Sequence, residues 1–257
     1  MLASFTLAAL DLVFPALCPV CRSPLGDGRR DPLCGPCWRA IARLGSPGCA
    51  VCGAASSTAP TIDVPAGVAR RPDGETPDRP CPACAAAPPP YAYARSAAVY
   101  EGVLRDALHA FKFSGKRALA RPLGDLVIEQ CRASLPTDVD AVVPVPLSGE
   151  RERERGFNQA ALLAQRVARR LGVPARPRWL ARVRPTRPQS DLSAAERHAN
   201  VRDAFRASRD VAGCHVLVVD DVLTTGATLG ECARALRRGG ARRVGALTVA
   251  RVLHAAV

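Results

Sequence analysis

From residue 91 onward the apolar positions switch between two rhythms. Ala94 to Tyr100, Ala141 to Val145, His215 to Val219 and Arg243 to Val252 are short, β-branched or small apolar runs, the pattern of buried strands. Between them lie spacings of three and four. Tyr100, Leu104, Ala107, Leu108 and Phe111 mark one helix face. A second helix is predicted over residues 119–133. A third follows Ala160, Leu163, Ala164, Val167 and Leu171, and Gly172 and Pro174 stop it. The last uses Leu229, Cys232, Ala233 and Leu236 and ends at Gly239-Gly240. Strand and helix in alternation predict an α/β fold with a parallel sheet flanked by helices.

The first third of the chain lacks both rhythms. Leu2, Phe5, Ala9, Leu12 and Val13 predict a short amphipathic helix over residues 1–17, broken at Pro15. Residues 53–80 are rich in Pro, Gly, Ser and Thr and predict a flexible insertion. An Ala/Pro run, 85–90, closes this region. The predicted organisation is therefore a helix (1–17), a Cys-rich segment (18–90) and an α/β domain (91–257).

Cysteine supplies what the apolar pattern lacks. Eight of the eleven cysteines form CxxC pairs: Cys18/Cys21, Cys34/Cys37, Cys49/Cys52 and Cys81/Cys84. The start of the chain is apolar, but Asp11 and the absence of a basic lead fail the pattern of a signal peptide. A reducing, cytoplasmic setting is expected, where thiols serve metals rather than disulfides. Four thiolates close a tetrahedral Zn²⁺ site, so eight imply two structural Cys₄ sites. Sequential pairing (Cys18, Cys21, Cys34, Cys37; Cys49, Cys52, Cys81, Cys84) is preferred, and a cross-braced pairing stays open. Cys131, Cys214 and Cys232 fall on helix or strand patterns and are expected in the core.

The strand His215–Val219 leads into Asp220-Asp221-Val222-Leu223-Thr224-Thr225-Gly226-Ala227-Thr228 and then a helix. The first N–H groups of a helix lack intrahelical partners and attract anions. A glycine and hydroxyl side chains allow a phosphate to approach the backbone. Two carboxylates beside that cradle suit vicinal hydroxyls next to the phosphate, as in a ribose 5-phosphate. An ordinary capped strand-to-helix turn is the plainer alternative.

Charge adds an anionic partner to this picture. The formal net charge is +13, which favours phosphate ligands, nucleic acid or acidic partners, although an arginine-rich composition accounts for it equally well. The two lysines, Lys112 and Lys116, sit together in Phe111-Lys112-Phe113-Ser114-Gly115-Lys116-Arg117 and are candidate anion ligands. Arg151, Arg155 and Asn158 are further candidates, although for Arg151 and Arg153, alternating with glutamates, a solvated charged face is the preferred reading. Aromatic residues make up 4% of the chain, few for a single-stranded DNA binder that relies on stacking. No apolar run reaches membrane-spanning length.

The string Val218 to Thr228 resembles the phosphoribosyl-pyrophosphate (PRPP) signature of type I phosphoribosyltransferases. With Val143-Pro144-Val145-Pro146, Arg155-Gly156-Phe157-Asn158-Gln159, the segment Gln189 to Asn200 and the cysteine pairs, the chain resembles the ComF/GntX family, which joins a double zinc ribbon to a phosphoribosyltransferase-type domain. The resemblance implies that Asp220 and Asp221 hold the ribose hydroxyls and carry catalysis. It implies that Thr224, Thr225, Gly226, Ala227 and Thr228 hold the 5′-phosphate. Lys112, Lys116, Arg155 and Asn158 are the candidates for the pyrophosphate with Mg²⁺, and Gln189, Ser190 and Arg197 fall where related transferases carry a loop that closes over PRPP, with a plain surface loop as the equal alternative. It further implies a role in DNA uptake in natural transformation, with single-stranded DNA and a helicase-like competence ATPase as partners. It leaves open a transferase with an unidentified acceptor, or a PRPP-binding regulatory or scaffold module without catalysis.

Overall fold

The computed structural model describes residues 16–25, 32–46, 48–54, 79–186 and 193–253. The predicted helix at the start, most of the 53–80 insertion, and Gln189 and Ser190 lie outside them. Two short helices, α1 (Gly35–Arg39) and α2 (Pro82–Ala86), each follow a cysteine, Cys34 and Cys81, and carry a proline in the first turn, Pro36 and Pro82. Proline suits the first helical turn because its missing N–H would have no partner there.

The α/β part contains β1 (Tyr93–Val99), α3 (Gly102–Phe113), α4 (Ala120–Cys131), β2 (Ala141–Pro144), α5 (Gly149–Arg155) and α6 (Gln159–Leu171). It continues with β3 (Leu180–Arg182), α7 (Ala194–Val201), β4 (Phe205–Ala207), β5 (His215–Leu223), α8 (Ala227–Arg238) and β6 (Arg243–Arg251). Four strands form one parallel sheet in the order β1-β6-β5-β2, and β3 and β4 form a separate antiparallel pair.

The predicted helix faces are the buried ones. Leu104, Ala107, Leu108 and Phe111 of α3 and Leu163, Ala164 and Val167 of α6 pack with Leu217, Val219 and Leu247 on one side of the sheet. Leu229, Cys232, Ala233 and Leu236 of α8 pack with Val216, Val218 and Ala246 on the other, together with Leu180 and Phe205 of the β3–β4 pair. Cys131 and Cys232 are core residues, as expected, and Cys214 is half-buried. Alternate residues of β5 thus serve opposite layers, and this alternation continues to the acids at its end.

The Cys-rich segment covers the edge of β1. Leu44 N–H donates to Ala97 O, Val99 N–H to Ala42 O, and Ala94 N–H to Val51 O. An open strand edge would invite pairing with another chain, and these bonds occupy it. Leu33, Cys37 and Ile41 enter the same apolar cluster as α3 and α4, so the two segments share a core.

Candidate functional site

The eight CxxC thiols gather into two groups, Cys18/Cys21/Cys34/Cys37 and Cys49/Cys52/Cys81/Cys84, and within each the sulfurs lie within 4.8 Å of one another. The pairing is the sequential one. A tetrahedral zinc thiolate with Zn–S of about 2.3 Å requires sulfurs roughly 3.8 Å apart. Cys21 and Cys34 are 3.5 Å apart, and Cys52 and Cys81 are 3.9 Å apart. Cys49 Sγ also accepts the backbone N–H groups of Cys52 (3.4 Å) and Cys81 (3.1 Å), bonds that favour the thiolate. Both groups therefore fit structural zinc, with all four positions filled by protein.

Four thiolates around Zn²⁺ leave a negative cluster, and arginines from the sheet meet the second group. Arg251, at the end of β6, donates to Cys52 O and lies 3.6 Å from Cys52 Sγ. Arg95 of β1, almost fully buried, donates to Ala50 O at 3.2 Å and Ala94 O at 2.8 Å. Gly53 sits so close to β1 that a Cβ there would lie 2.6 Å from Ala94 O.

At the carboxyl ends of β2 and β5 lies a cavity of about 630 Å³. Ligands in open α/β sheets bind at this end of the strands. Its walls include Asp220, Asp221, Thr224, Gly226, Ala227 and Thr228, with Lys112, Arg155 and Asn158. Thr225 does not line it. Instead its Oγ1 accepts from Ala227 N–H at 3.4 Å and shapes the turn. Gly226 precedes α8 with φ of 78°, a conformation in which a side chain is strained. Lys116 is exposed and lies outside the cavity.

The two acids behave differently. Asp221 Oδ2 is 2.7 Å from Lys112 Nζ. Burial opposes the lysine charge, but Asp221 outweighs it and holds Lys112 above its ordinary value. Among the described residues Asp220 accepts only its neighbour's N–H, at 2.9 Å. Burial, and then the Asp221 charge, push Asp220 up to about 7.

The Arg155-Gly156-Phe157-Asn158-Gln159 block interlocks with the Phe111–Arg117 segment. Arg155 stacks on Phe113 at 4.9 Å and donates to Gln159 Oε1 at 3.1 Å. Gly156 ends α5 with φ of 71°, and Arg117 donates to its carbonyl. Phe157 packs on Phe111 at 5.7 Å beneath the Arg117 guanidinium. Asn158 caps α6: its Oδ1 accepts from Ala161 N–H at 3.3 Å, and its Nδ2 donates to Val145 O at 3.1 Å. Its amide therefore anchors the loop after β2.

Two cavity residues departed from or escaped the sequence reading. Arg151, expected on a solvated face with Arg153, lines the cavity, while Arg153 is exposed. Arg182 of β3 also lines it; its Nε is buried without a hydrogen-bond partner among the described residues. The strand that positions Arg182 is three residues long, too short for a readable period. Arg197, on α7, lines the same space.

A double zinc ribbon shielding the edge strand of a phosphoribosyltransferase-type domain is the class that these features define. The family model for the phosphoribosyl transferase domain matches residues 158–256, and that for the double zinc ribbon domain matches residues 9–85. The chain is 35% identical over 247 residues to the DNA utilization protein YhgH of Salmonella typhi, an alignment covering 94% of this chain and all of that one. It is 36% identical to Competence protein F of Haemophilus influenzae over 53% of this chain and 63% of that one. Competence protein ComFC of Bacillus subtilis is 33% identical over 61% of this chain and 63% of its own. The chain belongs to the ComF/GntX family.

Proposed function

We propose that the chain binds PRPP, or a closely related ribose phosphate, with Mg²⁺, and serves DNA uptake or utilization. The observation that carries the ligand reading is the juxtaposition, in one cavity, of the Asp220/Asp221 pair with the Thr/Gly turn that opens α8. Asp220 and Asp221 would hold the ribose hydroxyls, and Thr224, Gly226, Ala227 and Thr228 the 5′-phosphate, with Thr225 shaping the turn. Five cationic side chains line the cavity (Lys112, Arg151, Arg155, Arg182, Arg197) against three carboxylates (Asp220, Asp221, Glu154), which suits a polyanion. Mg²⁺ would supply charge neutralisation for the pyrophosphate near the acids.

The DNA role rests on the relatives' names, DNA utilization protein and competence protein, and on the net charge of +13. A transferase acting on an acceptor base and a PRPP-binding module without turnover share this site. Calorimetry of zinc-loaded protein with Mg²⁺–PRPP, beside an Asp220→Asn/Asp221→Asn double variant, tests the ligand reading. Micromolar binding lost in the variant is expected. Equal binding by both proteins, or by neither, would remove the acid pair from the function.

A further inference from the structure

We infer that Phe113 is a stacking platform for a nucleobase at the mouth of the cavity. The inference rests on the ribose-phosphate reading and deepens it by naming the chemistry placed beside the ribose. Phe111, Phe157 and Phe205 are all buried, as aromatic side chains in a core should be. Phe113 is 61% exposed, yet it lines the cavity. It shares that cavity with Lys112, the partner of Asp221, and with both acids.

The ring is held rather than loose. Arg155 lies over it at 4.9 Å, and His109, one turn earlier on α3, leans on it at 4.6 Å with an interplanar angle of 43°. Arg155 is in turn held by Gln159, whose Nε2 reaches Lys112 O at 3.5 Å. These contacts fix the ring and leave most of it bare. A bare, oriented aromatic edged by guanidinium and imidazole groups matches a planar heteroaromatic base, which gains from stacking on the π-face. The cationic lining matches the phosphate such a base carries.

The probe is 2-aminopurine, whose fluorescence is quenched by stacking, presented to the full zinc-loaded chain in two forms. One is the ribonucleoside 5′-monophosphate, and the other is a single 2-aminopurine within a short oligothymidylate. Quenching by the parent and by Phe113→Tyr is expected, with affinity about fivefold or more weaker in Phe113→Leu. The form that shows this dependence identifies whether the base arrives as a free nucleotide or within a strand. Equal quenching by parent and Phe113→Leu with both probes would overturn the inference. Mg²⁺–PRPP binding is measured on the same samples. If PRPP binds all three proteins and quenching ignores Phe113, the stacking platform fails alone. If quenching depends on Phe113 and PRPP binds none of them, the platform stands and the ribose-phosphate reading fails.

Discussion

Lys112 Nζ lies 2.7 Å from Asp221 Oδ2, while Asp220, the adjacent residue, has no ion pair among the described residues. The lysine therefore neutralises one acid of the pair and leaves the other exposed to its neighbour's charge. Asp220 is raised to about 7 by burial and by Asp221, against an ordinary value of about 3.9 in an unfolded chain. Between those values the native state binds more protons than the unfolded state, so this group makes stability fall as pH rises from about 4 to about 7. Above that range both states are ionised and its slope ends. Urea midpoints of the parent and Asp220→Asn between pH 4.5 and 7.5 should diverge, with the variant gaining on the parent toward neutral pH. Parallel curves would refute this assignment of the raised acid.

Replacing Lys112 removes the cation but leaves both acids. The two side chains are 21% and 12% exposed, so solvent screens the pair only partly. Breaking a buried pair by removing one partner costs several kcal/mol, and here about 2–3 kcal/mol is expected for Lys112→Met at neutral pH. The deficit should shrink at pH 5, where protonation relieves the repulsion between Asp220 and Asp221. A deficit independent of pH would mean that lost packing of the lysine stem, not charge, is the cause.

The second cysteine group is wired to the turn that opens α8. Arg251 bonds to Cys52 O and is in register with Leu223, whose carbonyl accepts from Val252 N–H at 2.9 Å. Tyr91 reaches Gly226 from the other direction: a Cβ on that glycine would be 3.4 Å from the Tyr91 hydroxyl. Metal binding in such sites supplies folding energy on the order of 10 kcal/mol. Cys84→Ser should lower zinc content from two ions per chain to one and raise amide exchange across residues 224–229. Cys34→Ser should lose one zinc as well but leave those amides unchanged, because its group packs against α3 and α4. Native mass spectrometry and hydrogen exchange measure both effects. Equal exchange in the two variants would show that the wiring carries no strain to the turn.

What was legible in the sequence is what repeats. The spacings of α3, α6 and α8 gave their buried faces because an amphipathic helix writes its core side every third or fourth residue. The CxxC pairs closed two metal groups because adjacent ligands leave few ways to complete a tetrahedron. The β3–β4 pair was not legible: two three-residue strands, separated by residues 183–204, have no period, and their pairing is set by packing under α8. Asn158 shows another limit. An amide between Phe157 and Gln159 suits a ligand contact and a helix cap equally, and only the fold reveals the 3.1 Å bond to Val145 O. Lys116 fell outside the cavity because Gly115, with φ of 63°, turns the chain away after Phe113.

Arg182 is a cavity cation whose Nε finds no hydrogen-bond partner among the described residues. Its Nη2 donates to Thr186 Oγ1 and its plane lies 5.5 Å from the Phe205 ring, so the side chain is positioned. Its Nε is buried without a hydrogen-bond partner, and no carboxylate forms an ion pair with it among the described residues. A buried donor left unpaired costs about 1–3 kcal/mol, a cost that an anionic ligand would relieve on binding. Arg182→Met should therefore be nearly neutral for stability, within about 1 kcal/mol, because it removes an unsatisfied group and keeps the packing on Phe205. The same change should weaken Mg²⁺–PRPP about tenfold or more, since a hydrogen bond between charged groups is worth about 1.5–3 kcal/mol. Arg182→Lys should recover only part of that loss, because an ammonium lacks the planar fork. Denaturation and calorimetry on the same preparations separate the two effects. A large loss of stability with unchanged affinity would make Arg182 a structural residue of the β3–β4 pair.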